Sequence, residues 1–209
     1  GAFIPNPMHV YRTAGVLAGL GLSYGGATTE EDVVGLIFAD QGIDLSKISG
    51  DIKIVSYLQG YGDTTTDEIN AAIQAAPEAF ISVGMATTFF TQQLNAAGIE
   101  FSDIDSFTKS NGEAITNGKL VYLAGKYSSS VGPAFALVMN AINGNVIRDA
   151  QGNAVSLSQN YQVATDSETF DKFYKNDNGD NPIYSRDTLD QIIGDTVTFD
   201  TINEVVASN

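Results

Sequence analysis

Ile52-Lys-Ile-Val-Ser-Tyr-Leu-Gln59, Ala79-Phe-Ile-Ser-Val83 and Leu120-Val-Tyr-Leu-Ala-Gly125 are three short, largely apolar runs separated by longer amphipathic ones. Runs of this length, bounded by Gly and polar residues, read as strands. A fourth strand is expected around Asp103 to Thr108. Thr65 to Ala76 and Thr87 to Ala97 carry helical periodicity, the second closed by Gly98, and Ser129 to Asn143 reads as a long helix ending at Gly144. Strands joined by helical crossovers lie parallel in one sheet, with ligand sites at their carboxyl ends. Asp51 to Gly144 therefore predicts an α/β fold in three layers, a mostly parallel sheet flanked by helices.

Composition narrows the function. Of 209 residues, 43% are hydrophobic and only 17% charged, which suits a globular chain with a real core. No apolar run reaches the ~18–20 residues of a membrane span. Gly1 opens the chain with no basic n-region or cleavage site, so no signal peptide is read. Ten Lys and Arg against 25 Asp and Glu give a net charge of −15, which opposes both nucleic-acid binding and docking on anionic lipid. Zero cysteines exclude disulfides, thiolate metal sites and a cysteine nucleophile, and agree with an extracytoplasmic setting.

Outside the central stretch, Gly1 to Pro7 reads as an extended lead-in. Met8 to Leu22 carries a helical stripe, Val10, Ala14, Leu17 and Leu20, interrupted by glycines at 15, 19 and 21; a strand over Val16 to Ser23 is the alternative. Thr28 with Glu31, and Thr65 with Glu68, have capping-box spacing ahead of apolar faces. Glu30, Glu31, Asp67 and Glu68 then fall in first turns, as solvated helix starts. Beyond Gly144, Asn145 to Val155 predicts a short hairpin turning at Ala150-Gln-Gly152. Asn160 to Ala164 reads as a strand, Lys175 to Pro182 as a loop, and Glu168 to Tyr174, Thr188 to Ile193 and Phe199 to Val206 as short helices.

No catalytic set stands out. The only histidine, His9, lies in the lead-in and is expected away from every strand end, and no Gly-x-Ser-x-Gly elbow is present. One histidine and no cysteine leave a zinc site without ligands. Gly60-Tyr-Gly62 lacks the third glycine of a dinucleotide fingerprint. Asp177 to Asn181 is rich in oxygen ligands but lacks EF-hand order, and reads as a solvated turn. No catalytic residue, metal or cofactor is implied.

Polar and aromatic residues do gather at the expected strand ends: Tyr57, Gln59 and Tyr61, then Met85 and Thr87, then Thr108, Lys109 and Asn111, then Lys126 and Tyr127. Aromatic faces beside amides and hydroxyls suit a small ligand with polar edges and apolar faces, such as a sugar or nucleoside.

Ile69-Asn-Ala-Ala-Ile-Gln-Ala-Ala-Pro-Glu-Ala-Phe-Ile81, Gln93-Leu-Asn-Ala-Ala-Gly98, Asn117-Gly-Lys-Leu-Val-Tyr-Leu123, Val131-Gly-Pro-Ala134 and Ala141-Ile-Asn-Gly144 follow one another in an informative order. From about Asp51 to Asp166 this order resembles the second half of type I periplasmic solute-binding proteins, the sugar-binding kind related to the ligand-sensing domains of lac-repressor-like regulators. The resemblance implies a periplasmic-binding-protein-like lobe, in a clamshell of two αβ lobes that grip a ligand between them. It places Lys126 near a frequent ligand contact. Thr108 falls where the family often has an Asp, because Ser106-Phe-Thr108 aligns with its Gly-Phe-Asp, and Val83 and Gly84 fall near the family's Asn-Asp. These departures bear on hexose or pentose recognition more than on the fold.

The expectation is a non-enzymatic binder of a small polar ligand, part of a bacterial solute-binding protein for transport or sensing, working with a membrane permease or sensor. Residues 1–125 form the αβ lobe with ligand-facing strand ends; 126–209 supply the crossover helix, a return strand and a C-terminal extension. The chain is expected to be part of a longer two-lobed protein, with self-association through the Ser129 to Asn143 helix. Three alternatives stay open: the effector domain of a transcription regulator, a small-substrate αβ enzyme using Asp63 or Glu113, and a structural surface domain.

Overall fold

The computed structural model describes residues 6–58, 66–104, 107–125, 128–177 and 182–208. The chain forms two compact units, Gly1–Ile104 with Asn117–Val121, and Asp105–Thr116 with Tyr122–Asn209.

The first unit opens with α1, Pro7–Gly19. Asn6 caps it, its Oδ1 accepting the Met8 N–H at 3.1 Å, and Pro7 occupies a first-turn position where its missing N–H costs nothing. The ambiguous stretch is thus helical as far as Gly19. Beyond it lies only a two-residue strand, β1 Ser23–Tyr24, antiparallel to β2 Ile48–Ser49. Helix α2, Glu30–Asp40, is capped by Thr29 rather than the expected Thr28: Thr29 Oγ1 accepts the Asp32 N–H at 3.3 Å and donates to its carboxylate at 2.6 Å. Val10, Ala14 and Leu17 of α1 and Val33, Val34 and Ile37 of α2 meet Leu22 and Tyr24 in one buried cluster. Burying each Val, Leu or Ile there stabilises the unit by about 1.5–3 kcal/mol.

Next come α3 (Thr66–Gln74), β3 (Ala79–Phe80), α4 (Ala86–Phe89), α5 (Thr91–Ala97) and β4 (Glu100–Ile104). Strands β3 and β4 pair in parallel, Ala79 with Glu100 and Phe80 with Phe101. The expected cap Thr65 lies outside the described residues. The helix expected over Thr87 to Ala97 is broken at Phe90, whose φ of −126° leaves the helical region while its buried ring meets Phe80 edge-on at 5.5 Å. Gly98 closes α5 in the left-handed conformation, as its position predicts. Two expectations need correcting. Strand β4 begins and ends earlier than Asp103 to Thr108, because Thr108 serves the helix after it. Of Ile52 to Gln59, the described residues up to Leu58 belong to no strand: Ile52 and Tyr57 are exposed while Ile54 packs on the first cluster, so no single apolar face forms.

In the second unit, α6 spans Lys109–Thr116, a helix the sequence did not predict. Strand β5, Leu120–Gly125, starts in the first unit, ends in the second, and has the bounds read from the sequence. A 3-10 turn, Ser128–Val131, leads into α7, Gly132–Ile142. Pro133 explains why the α-helix proper starts there, since proline is tolerated only in a first turn. A bridge between Arg148 and Ala154 closes the expected hairpin turn. It is held by Asp149 Oδ1, which accepts the Gln151 and Asn153 N–H groups at 2.9 and 2.7 Å. Strand β6 (Gln162–Ala164) and helices α8 (Ser167–Asp177), α9 (Arg186–Asp190) and α10 (Phe199–Ala207) complete the unit. Lys175 to Asp177 are therefore helical, not loop, and Asn178 to Asn181 lie outside the described residues.

The central sheet, flanked by helices, runs in the order β3-β4-β5-β6. It is mixed: β6 lies antiparallel to β5, with Leu123 opposite Ala164 and Gly125 opposite Gln162. The expected sheet is mostly parallel; β3 and β4 are parallel as expected, and β6 departs from that sense.

Candidate functional site

The carboxyl ends of the parallel pair carry a connected polar network. Where β3 gives way to Ile81-Ser-Val-Gly-Met85, Ser82 N–H donates to Ser102 Oγ at 3.1 Å. Ser82 Oγ accepts the Gly84 N–H at 3.1 Å and donates to the Gly84 carbonyl at 2.9 Å, which also takes the Ile104 N–H at 3.1 Å. Asp103 is fully buried on the same face of β4 as Phe101, and its Oδ1 accepts the Ala86 N–H at 2.8 Å. A buried carboxylate without such a donor would be costly. Here it ties the start of α4 to β4.

Two basic side chains of α1 reach the same loop. Arg12 Nη1 donates to the Val83 carbonyl at 3.0 Å, and His9 Nδ1 lies 3.2 Å from the same oxygen. A carbonyl can only accept, so this contact selects an imidazole protonated at Nδ1. The expectation that His9 stands away from every strand end is therefore corrected. The Asn6 cap starts α1 early enough to carry His9 and Arg12, one turn apart, to this loop after β3.

Of the expected site residues in the first unit, Met85 precedes α4 with its side chain exposed to solvent. Tyr57 is exposed in part, yet lost hydration raises its phenol above the ordinary tyrosine value. Gln59, Tyr61 and the side chain of Thr87 lie outside the described residues.

In the second unit, Thr108 and Asn111 come together at the start of α6. Thr108 Oγ1 accepts the Asn111 N–H at 3.2 Å and is hydrogen-bonded to Ser110 Oγ at 3.0 Å, hydroxyl to hydroxyl. Thr108 is thus a helix cap, and Asn111 is buried. Lys109 projects into solvent, its Nζ 3.9 Å from Glu113 Oε1, with both side chains well exposed. Screening leaves such a pair worth little. Gly112 is required because a Cβ there would run into the Phe170 ring, part of an aromatic group with Phe107, Phe173 and Tyr174. Lys126, Tyr127 and Asp63 lie outside the described residues.

Ser82, Ser102, Asp103, His9 and Arg12 do not stand out as site residues in the sequence. One signal exists for Asp103: it shares a strand face with Phe101, so a carboxylate has to be buried. His9 and Arg12 leave none, because their contact spans more than seventy positions of chain. Among the described residues, no group of three or more His, Cys, Asp or Glu is placed to hold a metal ion, and no helix is long and apolar enough to cross a membrane. Comparison of the chain with protein-family models, curated proteins and solved structures finds no match.

Proposed function

We propose that this chain binds a small polar ligand, a sugar or sugar-like molecule, without transforming it. It would do so as the periplasmic-binding-protein-like lobe of an extracytoplasmic bacterial solute-binding protein serving a permease or sensor. The observation that carries this reading is the loop from Ser82 to Ala86. It follows a parallel strand, where ligands of αβ sheets collect. Its own polar groups are held by Ser102, Asp103, His9 and Arg12, so the loop is pre-organised. A loop fixed this way loses little conformational freedom on binding. The resemblance to the sugar-binding family supplies the ligand class.

Each neutral hydrogen bond nets only ~0.5–1.5 kcal/mol, and a few contacts from one lobe correspond to roughly millimolar affinity. The test is an amide NMR titration with pentoses, hexoses and nucleosides. The Ser82, Gly84 and Ala86 amides are expected to shift together and saturate near that strength. The reading fails if no compound moves those three resonances, or if binding is sub-micromolar.

A further inference from the structure

We infer that the Asn117-Gly118 step is a self-modification site, where asparagine converts to aspartate and isoaspartate without an enzyme, a property separate from ligand binding. The reaction needs an asparagine followed by a residue with no Cβ, so that the next backbone nitrogen can approach the side chain. The Gly118 nitrogen bonds to Asn117 Cγ, and the side-chain nitrogen leaves as ammonia, carrying the former amide proton. Water then opens the five-membered imide. Attack at the side-chain carbonyl gives aspartate; attack at the backbone carbonyl gives isoaspartate.

The sequence holds four Asn-Gly steps, beginning at residues 111, 117, 143 and 178. The last lies outside the described residues. Asn111 is closed to the reaction. It is 1% exposed within α6, the Gly112 N–H donates to the Thr108 carbonyl at 3.0 Å, and the Phe170 ring fills the space beside Gly112. Asn143 is exposed, but the Gly144 N–H donates to the Ala141 carbonyl at 3.1 Å, a bond that has to open before that nitrogen can attack. Asn117 and Gly118 are both exposed and lie just past the last residue of α6. Gly118 has a φ of +67° and nothing within 4 Å of where a Cβ would stand, so the turn has room to rearrange as the ring closes.

The conversion has a structural consequence. Isoaspartate routes the chain through the former side chain and lengthens the backbone by one atom, and either product adds negative charge to a chain that already carries −15. Two residues on, the Lys119 carbonyl accepts the Phe101 N–H at 2.9 Å, where the chain enters β5 beside β4. The added atom falls immediately ahead of this pairing, so the isoaspartyl chain holds the Phe101 amide less firmly.

Mass mapping of the 209-residue chain, aged at mildly alkaline pH, tests this. Trypsin cleaves after Lys109 and Lys119, so Asn111 and Asn117 share one peptide whose fragment ions tell them apart. Digestion in heavy-oxygen water marks any conversion that happens during handling. In the folded chain Asn117 should convert roughly tenfold faster than Asn111, or more, since Asn111 reacts only when α6 opens. In urea, with α6 unfolded, the two rates should come together. Asn117→Gln should abolish acid formation at 117, and only the aged parent should gain faster hydrogen exchange at the Phe101 amide. A folded chain in which Asn117 stays intact, or converts no faster than Asn111, overturns the proposal. So does a gap between the two that persists in urea, because structure would then not be its cause. Unchanged Phe101 exchange in the isoaspartyl chain overturns the consequence for the sheet.

Discussion

Helices α2 and α7 are each eleven residues long, and they solve the problem of burial in opposite ways. Helix α2 puts Glu30, Glu31 and Asp32 in its first turn, where the helix dipole favours them, and turns Val33, Val34 and Ile37 into the core. Helix α7 has no charge at all, turns Asn140 inward, and leaves Phe135, Val138 and Ile142 in solvent. Apolar content alone would have buried α7 more deeply than α2. The difference is explained by what each helix packs against. Helix α2 meets the branched side chains of α1. On α7, a Cβ at Gly132 would sit 2.7 Å from Tyr184 Cβ, and Asn140 bonds to backbone beyond α9, so much of the inward face is small or hydrogen-bonding, with the half-buried Leu137 joining Ala136 against Ile192 and Ile202.

The sharpest test of that contrast uses Ile37, only 1% exposed. Ile37→Ala should lower the unfolding free energy by about 2–5 kcal/mol, the cost of deleting a buried aliphatic side chain and leaving a cavity. The measurement is a urea melt of the dilute chain. A loss below about 1 kcal/mol would mean that α1 and α2 are not tightly packed.

Asn140 comes next, because it stabilises its region through polarity rather than area. Its Nδ2 donates to the Ile192 carbonyl at 2.8 Å and its Oδ1 accepts the Gly194 N–H at 2.8 Å. Asn145 backs it up by donating to the Gly194 and Val197 carbonyls. Asn140→Ala strands the buried Ile192 carbonyl and the part-buried Gly194 N–H at about 1–3 kcal/mol each, so a total loss of about 2–6 kcal/mol is expected. Asn140→Leu should not restore stability, although it is the more hydrophobic change. Recovery with leucine would show that α7 packs by area, as α2 does.

These two regions also show what local sequence can and cannot disclose. Strand β5 and helices α2 and α10 are legible close to their observed bounds because apolar spacing and capping residues carry that information along the chain. Helix α6 is not, because Ser110, Asn111 and Gly112 are weak helix formers, and because Phe107 extends the apparent apolar run of β4. Its cap, Thr108, passes for a strand-end ligand residue instead. At the candidate site, Ala79 to Val83 reads as one strand, whereas β3 ends at Phe80 and Ser82 and Val83 belong to the loop that follows. What local sequence hides is the set of residues that hold it. Asp103 and Ser102 act across the sheet, and His9 and Arg12 act from α1. The antiparallel β6 is equally hidden, since strand direction depends on the path of the whole connection and not on the strand's own residues.

Charge sharpens the comparison on the α2 side. Lys47 Nζ lies 2.6 Å from Asp40 Oδ1, and the buried Tyr24 donates to Asp40 Oδ2 at 2.7 Å. Lys47, then Tyr24, hold the Asp40 carboxyl below the ordinary value of 3.8. A folded-state value below the unfolded one adds stability that is present above about pH 4 and is lost as pH falls through the lowered folded value. Lys47→Met should raise the Asp40 value, read by carboxyl-carbon NMR, and make stability less steep below that pH. An unchanged Asp40 titration would remove Lys47 from the account. Tyr24 gives the alkaline counterpart. Burial, reinforced by Asp40, pushes its phenol up to about 12, so this tyrosine favours the fold up to about pH 10 and the benefit fades as pH rises toward 12.

The smallest expected effect is the most telling for α7. Ile142 is the same residue type as Ile37, on a helix of the same length, but it is 71% exposed. Ile142→Ala removes the same atoms without opening a cavity, and alanine is the better helix former, so the dilute chain should change by no more than about 0.5 kcal/mol. A large loss at high dilution would show that Ile142 is covered within a single chain, and the outward stripe on α7 would then belong to its core.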